Sequence, residues 1–207
     1  MLVLATQNKK KRQELEQLTA GRYAVRTLDE LGLADLVIDE SAATFAGNAR
    51  IKAEAVLAAL SAQQRADTFA VLADDSGISV DALDGKPGVR SARFAADHGV
   101  SFLGPTADAA NNALLLTLLQ IVPPAKRTAR FASAVCAVVV ATGQVLEAFG
   151  TVEGSIACDL VGAGGFGYDP LFVPDEAPGK RMAELNSDEK NAISHRGRAM
   201  RALFTKL

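Results

Sequence analysis

Tryptophan is absent, and the 207 residues hold only two cysteines and two histidines. Cys136 and Cys158 cannot build a disulfide framework, and no CxxC or Cys/His cluster points to zinc. Both read as small buried hydrophobes. Surplus charge is missing as well. Lys+Arg 22 against Asp+Glu 24 leaves a net charge of −2, which excludes a strongly basic domain that coats nucleic acid nonspecifically. Long apolar runs are missing too: the longest, 134–141, falls far short of a membrane span. The N-terminus is apolar for five residues before Lys9-Lys10-Lys11-Arg12. A signal peptide has its charges first and a longer apolar core, so a cytoplasmic protein is expected. No repeat, low-complexity tract or linker breaks the chain, and its length fits one domain over 1–207.

What is present supports a globular core. Hydrophobic residues make up 49% and charged residues 22%, an ordinary balance. Alanine inflates the first figure, with 38 copies, but enough large apolar residues remain for this length. Residues 1–6 read as a buried strand and 9–20 as a helix with Leu15 and Leu18 on one face. A second strand is expected over 22–28. Thr44 caps an alanine-rich helix that runs to Leu60. A buried strand over 68–73 is expected to stop at the polar turn Asp74-Asp75-Ser76-Gly77, with extended structure resuming over 78–83. Thr106 caps a helix over 107–120. Runs 127–141 and 144–153 flank Thr142-Gly143 as a hairpin. A short strand, 171–173, follows a glycine-rich loop. A last helix starts near Asn186, with Glu189 as its capping-box partner, and runs to about residue 206. This alternation argues for an α/β fold with a mixed sheet.

Five segments could carry chemistry. Thr6-Gln7-Asn8-Lys9-Lys10-Lys11 lies where a strand meets a helix, a place whose N–H groups and lysines suit phosphate. Asp39-Glu40 precedes Thr44, Asn48 and Lys52, which share one helical face; alone, that face reads as a cap and a surface lysine. In Asp74-Asp75-Ser76-Gly77, adjacent carboxylates at the end of a buried strand need a cation or donors. Mg²⁺ favours one or two carboxylates plus substrate phosphates, and such a carboxylate can orient water. Gly162-x-Gly164-x-x-Gly167 matches the dinucleotide fingerprint, but Asp169-Pro170 blocks the helix that motif requires. What remains is a loop presenting Phe166 and Tyr168, and an aromatic there can stack on a base. Lys190, Ser194, His195, Arg196 and Arg198 make a basic last helix, with Lys190 and Ser194 on one face and donors suited to a carbonyl or phosphate.

In order and spacing, these segments resemble the Ham1-like family of nucleoside-triphosphate pyrophosphatases. The likeness rests on Ala5-Thr6-x-Asn8-x-x-Lys11, on Glu40 with Thr44-Phe45-x-x-Asn48-Ala49-x-x-Lys52-Ala53, and on Ala73-Asp74-Asp75-Ser76-Gly77. It continues through Ser91-Ala92-Arg93, Gly164-Gly165-Phe166-Gly167-Tyr168-Asp169-Pro170, Met182-Ala183-Glu184-Leu185 and Glu189-Lys190-Asn191-x-x-Ser194-His195-Arg196-Gly197. The resemblance implies hydrolysis of ITP, dITP and XTP to the monophosphate and pyrophosphate. It implies Mg²⁺, a homodimer, and an elongated mixed sheet with a site in a cleft between two lobes. Carried over by position, Thr6, Gln7, Asn8, Lys9, Lys10 and Lys11 would hold the phosphates, with Ser76 nearby. Glu40 and Asp75 would bind the metal, and Asp75 would accept the proton of the attacking water. Phe166, Gly167, Tyr168, Asp169, Lys190, His195 and Arg196 would bind the substrate and its base. Asn48, Lys52, Asp74 and Arg93 are further candidates. Gln7 stands where the family often has glycine, and 97–105 is longer than the family pattern suggests.

Two other readings compete. A noncatalytic nucleotide- or RNA-binding module would need the lysines and aromatics but not the carboxylates. The same chemistry could also act on another base. The carboxylates Glu40, Asp74 and Asp75, clustered with the lysines, favour the enzyme. Residues 9–12 and 180–207 each carry +4, and the rest of the chain carries −10, so two cationic ends flank an acidic middle.

Overall fold

The computed structural model describes every residue except Asn8, Ala20 and Ala163, and the side chains of all others but Lys9, Lys10 and Glu14. In chain order the elements are β1 (Leu2–Leu4), α1 (Lys9–Thr19), β2 (Val25–Thr27), α2 (Phe45–Ala59), α3 (Ala62–Asp67), β3 (Ala70–Val80), α4 (Phe94–Asp97), α5 (Ala107–Leu118), β4 (Thr128–Val139), β5 (Val145–Ile156), β6 (Phe172–Pro174), α6 (Ser187–Ile193) and α7 (His195–Phe204). The strands form a six-stranded sheet in the order β2-β1-β3-β4-β5-β6. It is mixed, as expected: β1 pairs parallel with β2 and β3, whereas β5 pairs antiparallel with β6.

The chain divides into two compact units. The first comprises Met1–Asp75, Ser133–Gly150 and Arg196–Leu207, and the second Ser76–Ala132 and Thr151–His195. Side chains alternate across a strand with period two, and the first unit uses both faces. Leu2, Leu4, Ala70 and Leu72 pack with Leu15 of α1 and with Ala199, Met200 and Leu203 of α7. Their neighbours Val3, Ala5, Val71 and Ala73 pack with Ala49, Ala53 and Val56 of α2. Strands buried on both faces need no polar alternation, which is why 1–6 and 68–73 read as continuous apolar runs. In the second unit, Ile78, Val80, Phe131, Val152 and Phe172 pack with Leu115 of α5 and with Leu119, which caps its C-terminal end.

The caps are as expected. Thr44 Oγ1 accepts from Gly47 N at 3.1 Å, Thr106 Oγ1 from Ala109 N at 3.1 Å, and Asn186 forms a capping box with Glu189. Thr44→Ala should cost about 1 kcal/mol and lower the melting temperature by roughly 2–4 °C. A calorimetric scan checks this, and an unchanged midpoint would show that the cap is idle.

Three expectations need correction. β3 does not stop at Asp74 but runs through the acidic segment to Val80. Partners on both faces hold the carboxylates there, and these override the turn preference of Asp, Ser and Gly. The last helix is two helices. Ser194 adopts an extended conformation (φ −63°, ψ 144°) and ends α6 before His195 starts α7. Lys190 and Ser194 therefore do not share a helical face. Finally, Cys136 is buried but Cys158 is exposed.

Candidate active site

Strand alternation decides where the two adjacent carboxylates go. Asp74 follows Ala70 and Leu72 in phase, and so turns to the face that carries α1 and α7. There Lys11 Nζ lies 2.9 Å from its Oδ1, and Arg196 Nε 3.0 Å from its Oδ2. Asp74 and Arg196 are both buried. Burial alone would raise the carboxyl pKa, but Lys11, Arg196 and Lys52 together hold it far below the carboxylate range. Lys11 is pushed down by burial and by its cationic neighbours, which outweigh the pull of Asp74.

Asp75 follows Val71 and Ala73 and turns to the α2 face. Asn48 and Lys52 lie one helical turn apart there. Lys52 Nζ donates to Asp75 Oδ1 at 3.0 Å and to Glu40 Oε2 at 3.1 Å, and Asn48 Nδ2 donates to Asp75 Oδ2 at 3.1 Å. Asn48 is fixed in turn, because its Oδ1 accepts from Ala42 N at 2.9 Å. Lys52 is buried rather than a surface residue. Burial lowers its pKa, but Asp75, Asp74 and Glu40 together raise it above the ordinary value, so it stays charged. The Asp75 carboxyl is raised, chiefly by burial. A mostly buried carboxylate with a raised pKa is a better proton acceptor than an exposed one.

The remaining phosphate-loop candidates follow β1. Thr6 is half-buried, and Gln7 is exposed and donates its side-chain amide to Ala34 O. Asn8 and the side chains of Lys9 and Lys10 lie outside the described residues. Lys11 belongs to α1, whose backbone begins at Lys9.

The second unit contains a cavity of about 110 Å³ lined by Ser76, Ser91, Asp108, Phe131, Phe166, Tyr168 and His195, among others. His195 is buried and stacks on Phe131, with centroids 4.8 Å apart and planes within 8°. Lys190 Nζ sits 4.8 Å above the Phe166 ring and 2.7 Å from Asp169 Oδ2. The buried Asp169 also accepts from Phe166 N at 2.8 Å. That approach requires Gly165, because a Cβ there would lie 2.0 Å from Asp169 Oδ2. Tyr168 is buried, and its hydroxyl donates to Ser91 O at 2.9 Å. The element that follows the glycines is the strand β6 rather than a helix, consistent with rejecting the dinucleotide motif. Arg93 is exposed.

Thus Phe166, Gly167, Tyr168, Asp169, Lys190, His195 and Ser76 assemble in the second unit, whereas Glu40, Asn48, Lys52, Asp74, Asp75, Lys11 and Arg196 assemble in the first. The sequence marks α5 as a helix, but its polar residues Asp108, Asn111 and Asn112 are absent from the site candidates above. Asn111 accepts from Ala95 N at 2.8 Å and donates to Ser91 O and Ala92 O. Asp108 and Asn112 both bond to Gly167. The buried Asn112 leaves its Oδ1 without a partner among the described residues, which costs about 1–3 kcal/mol. Two consecutive asparagines inside a leucine-rich helix were the available signal, since they favour neither helix nor core.

The sequence model of the Ham1 family matches residues 2–206. A dITP/XTP pyrophosphatase of Mycolicibacterium paratuberculosis is 43% identical, over 100% of this chain and 95% of its own. One from Desulforamulus reducens is 46% identical, over 97% of this chain and 92% of its own. The solved Ham1 protein of Staphylococcus aureus superposes with a TM-score of 0.80 at 33% identity, covering 99% of this chain and 96% of that one. A Mycobacterium abscessus structure, described as a nucleoside-triphosphatase and dITP/XTP pyrophosphatase, gives 0.71 at 39% identity over 100% and 98%.

Proposed function

The chain belongs to the Ham1 family, and on that footing we propose that it hydrolyses ITP, dITP and XTP to the nucleoside monophosphate and pyrophosphate. One observation carries the reading: Asp75 and Glu40 share the ammonium of Lys52, while Asn48 fixes the second oxygen of Asp75.

The two hard oxygen donors suit Mg²⁺. That ion is usually held by one or two carboxylates, with substrate phosphates and water completing its shell. Glu40 and Asp75 would hold it, and when bound it neutralises phosphate charge and acidifies water. Asp75 accepts the proton of the water that attacks the α-phosphorus, and Lys52 keeps its carboxylate ionised beforehand. Lys9, Lys10 and Lys11 balance the negative charge of the departing pyrophosphate, and Thr6, Gln7, Asn8 and Ser76 offer hydrogen bonds to its oxygens. Such catalysis rests mainly on positioning and charge stabilisation.

The aromatic cavity takes the base. Phe166 offers a ring face, with Gly167, Tyr168, Asp169 and Lys190 holding its loop. His195, which lines that cavity, supplies a donor for a 6-oxo group, while Arg196 is engaged by Asp74. Adenine would present its own donors to that of His195, and that mismatch leaves buried polar groups unpaired. We further propose that residues 1–207 act as one catalytic domain, in a homodimer and in the cytoplasm. No helix among the described residues is long and apolar enough to cross a membrane.

The test is a panel of ITP, dITP, XTP, dGTP, ATP and CTP, with Mg²⁺ and with chelator. The expected result is metal-dependent release of pyrophosphate, fastest from the first three. Orthophosphate release would overturn the cleavage position. A preference for CTP would overturn the base assignment. Binding without turnover would point instead to a nucleotide-binding module.

A further inference from the structure

We infer that Asp108 and Asn112 of α5 are positioning residues for base recognition, which they serve by clamping the backbone of Gly167. The inference rests on the proposed assignment of the aromatic cavity to the base.

Residues four apart on a helix share a face. On that face Asp108 Oδ2 accepts from Gly167 N at 2.7 Å, and Asn112 Nδ2 donates to Gly167 O at 2.8 Å. Gly167 adopts φ +62°, a left-handed conformation that few residues hold unaided. The N–H of Gly167 belongs to the peptide that follows Phe166, and Asp169 holds the N–H of the peptide that precedes it. Both peptide planes flanking the Phe166 α-carbon are therefore pinned, one from α5 and one from Asp169. The direction of the ring into the cavity follows from those two planes.

The helix that carries the clamp is itself anchored to the cavity wall. Asn111 bonds to the backbone of Ser91, Ala92 and Ala95, and Ser91 O also receives the Tyr168 hydroxyl. The buried Asn112 directs both amide hydrogens to carbonyls, those of Asp108 and Gly167, and its oxygen finds no partner among the described residues. A leucine of similar size would fill that position without the orphaned atom. An uncompensated buried polar atom calls for a reason, and the hold on Gly167 supplies one.

The experiment uses the full chain with ITP and Mg²⁺. Asn112→Leu removes the donor and the orphaned oxygen together. Asp108→Ala removes the acceptor, and Asp108→Asn keeps an acceptor oxygen. In Asn112→Leu and Asp108→Ala, KM for ITP should rise about tenfold while kcat stays within about threefold, the scale of one hydrogen bond. Asp108→Asn should restore KM to within about threefold of the wild type. Amide exchange over 164–169 should quicken in Asn112→Leu without a fall in melting temperature. A purely structural residue would lower the melting temperature and leave KM alone, and that result overturns the inference. Unchanged exchange over 164–169 overturns it as well. If the wild type fails to hydrolyse ITP, the proposed function falls, and the exchange measurement still judges the clamp.

Discussion

Asp75→Asn should lower kcat for ITP by about a thousandfold, within the range for loss of a positioned proton acceptor, with little change in the melting temperature. The amide cannot accept the proton of the attacking water and is a poor ligand for a hard cation. Locally the loss is tolerable. Lys52 keeps Glu40 as a partner at 3.1 Å, and an amide oxygen can still face it. Asn48 loses most, since its Nδ2 donates to Asp75 Oδ2 and its Oδ1 is committed to Ala42 N. Pyrophosphate release under saturating ITP measures the effect, and a thermal melt controls for folding. Turnover within tenfold of the wild type would remove Asp75 from the proton-accepting role.

Asp74→Ala should act on stability instead, by about 3–5 kcal/mol, because removing one partner leaves buried charge uncompensated. A protein of this size then melts about 10 °C lower or more. The guanidinium of Arg196 accounts for most of the loss. It is buried, and it cannot shed its proton. Lys11 is less affected, since it is partly exposed and burial already favours its neutral form. The pH dependence has a definite sign. The folded carboxyl titrates well below the ordinary 3.8. Its contribution is therefore complete above that value and is lost as the pH falls below it. The gap between wild type and variant should be constant from pH 6 to 8 and narrow below about pH 4. A gap that widens in acid would contradict this account, and a melting temperature equal to the wild type at pH 7 would show that Asp74 is not what balances the two cations.

Much of this was legible in the sequence, and the exceptions share a cause. Val3, Val71 and Ala73 sit in apolar runs, and the caps at Thr44, Thr106 and Asn186 are short-range signals; both kinds of pattern carry through folding. The ordered motifs around Asn48, Asp75, Phe166 and His195 identified the family and the groups that assemble. What could not be read locally depends on partners distant in the chain. Asp74-Asp75-Ser76-Gly77 has the composition of a turn, and it becomes strand because Lys11 and Arg196 meet one carboxylate and Asn48 and Lys52 the other. The break at Ser194 is only faintly marked: serine is an N-cap type and Gly197 follows it, but no proline stands there, and the packing of α7 through Ala199, Met200 and Leu203 has no local signature. Asn112 finds Gly167 across 55 positions, so its role has no local signature.

The alternation of β3 also makes the strand a counting device. Asp74 and Asp75 are chemically the same side chain, and only the parity of their positions separates the carboxylate that balances Lys11 and Arg196 from the one that faces Lys52. Losing or gaining one residue between Ala70 and Ala73 would exchange their faces without altering composition, charge or hydropathy. This stretch can therefore change its apolar side chains far more readily than its length. Among divergent copies of the chain, insertions and deletions should gather in the connections and spare these four positions.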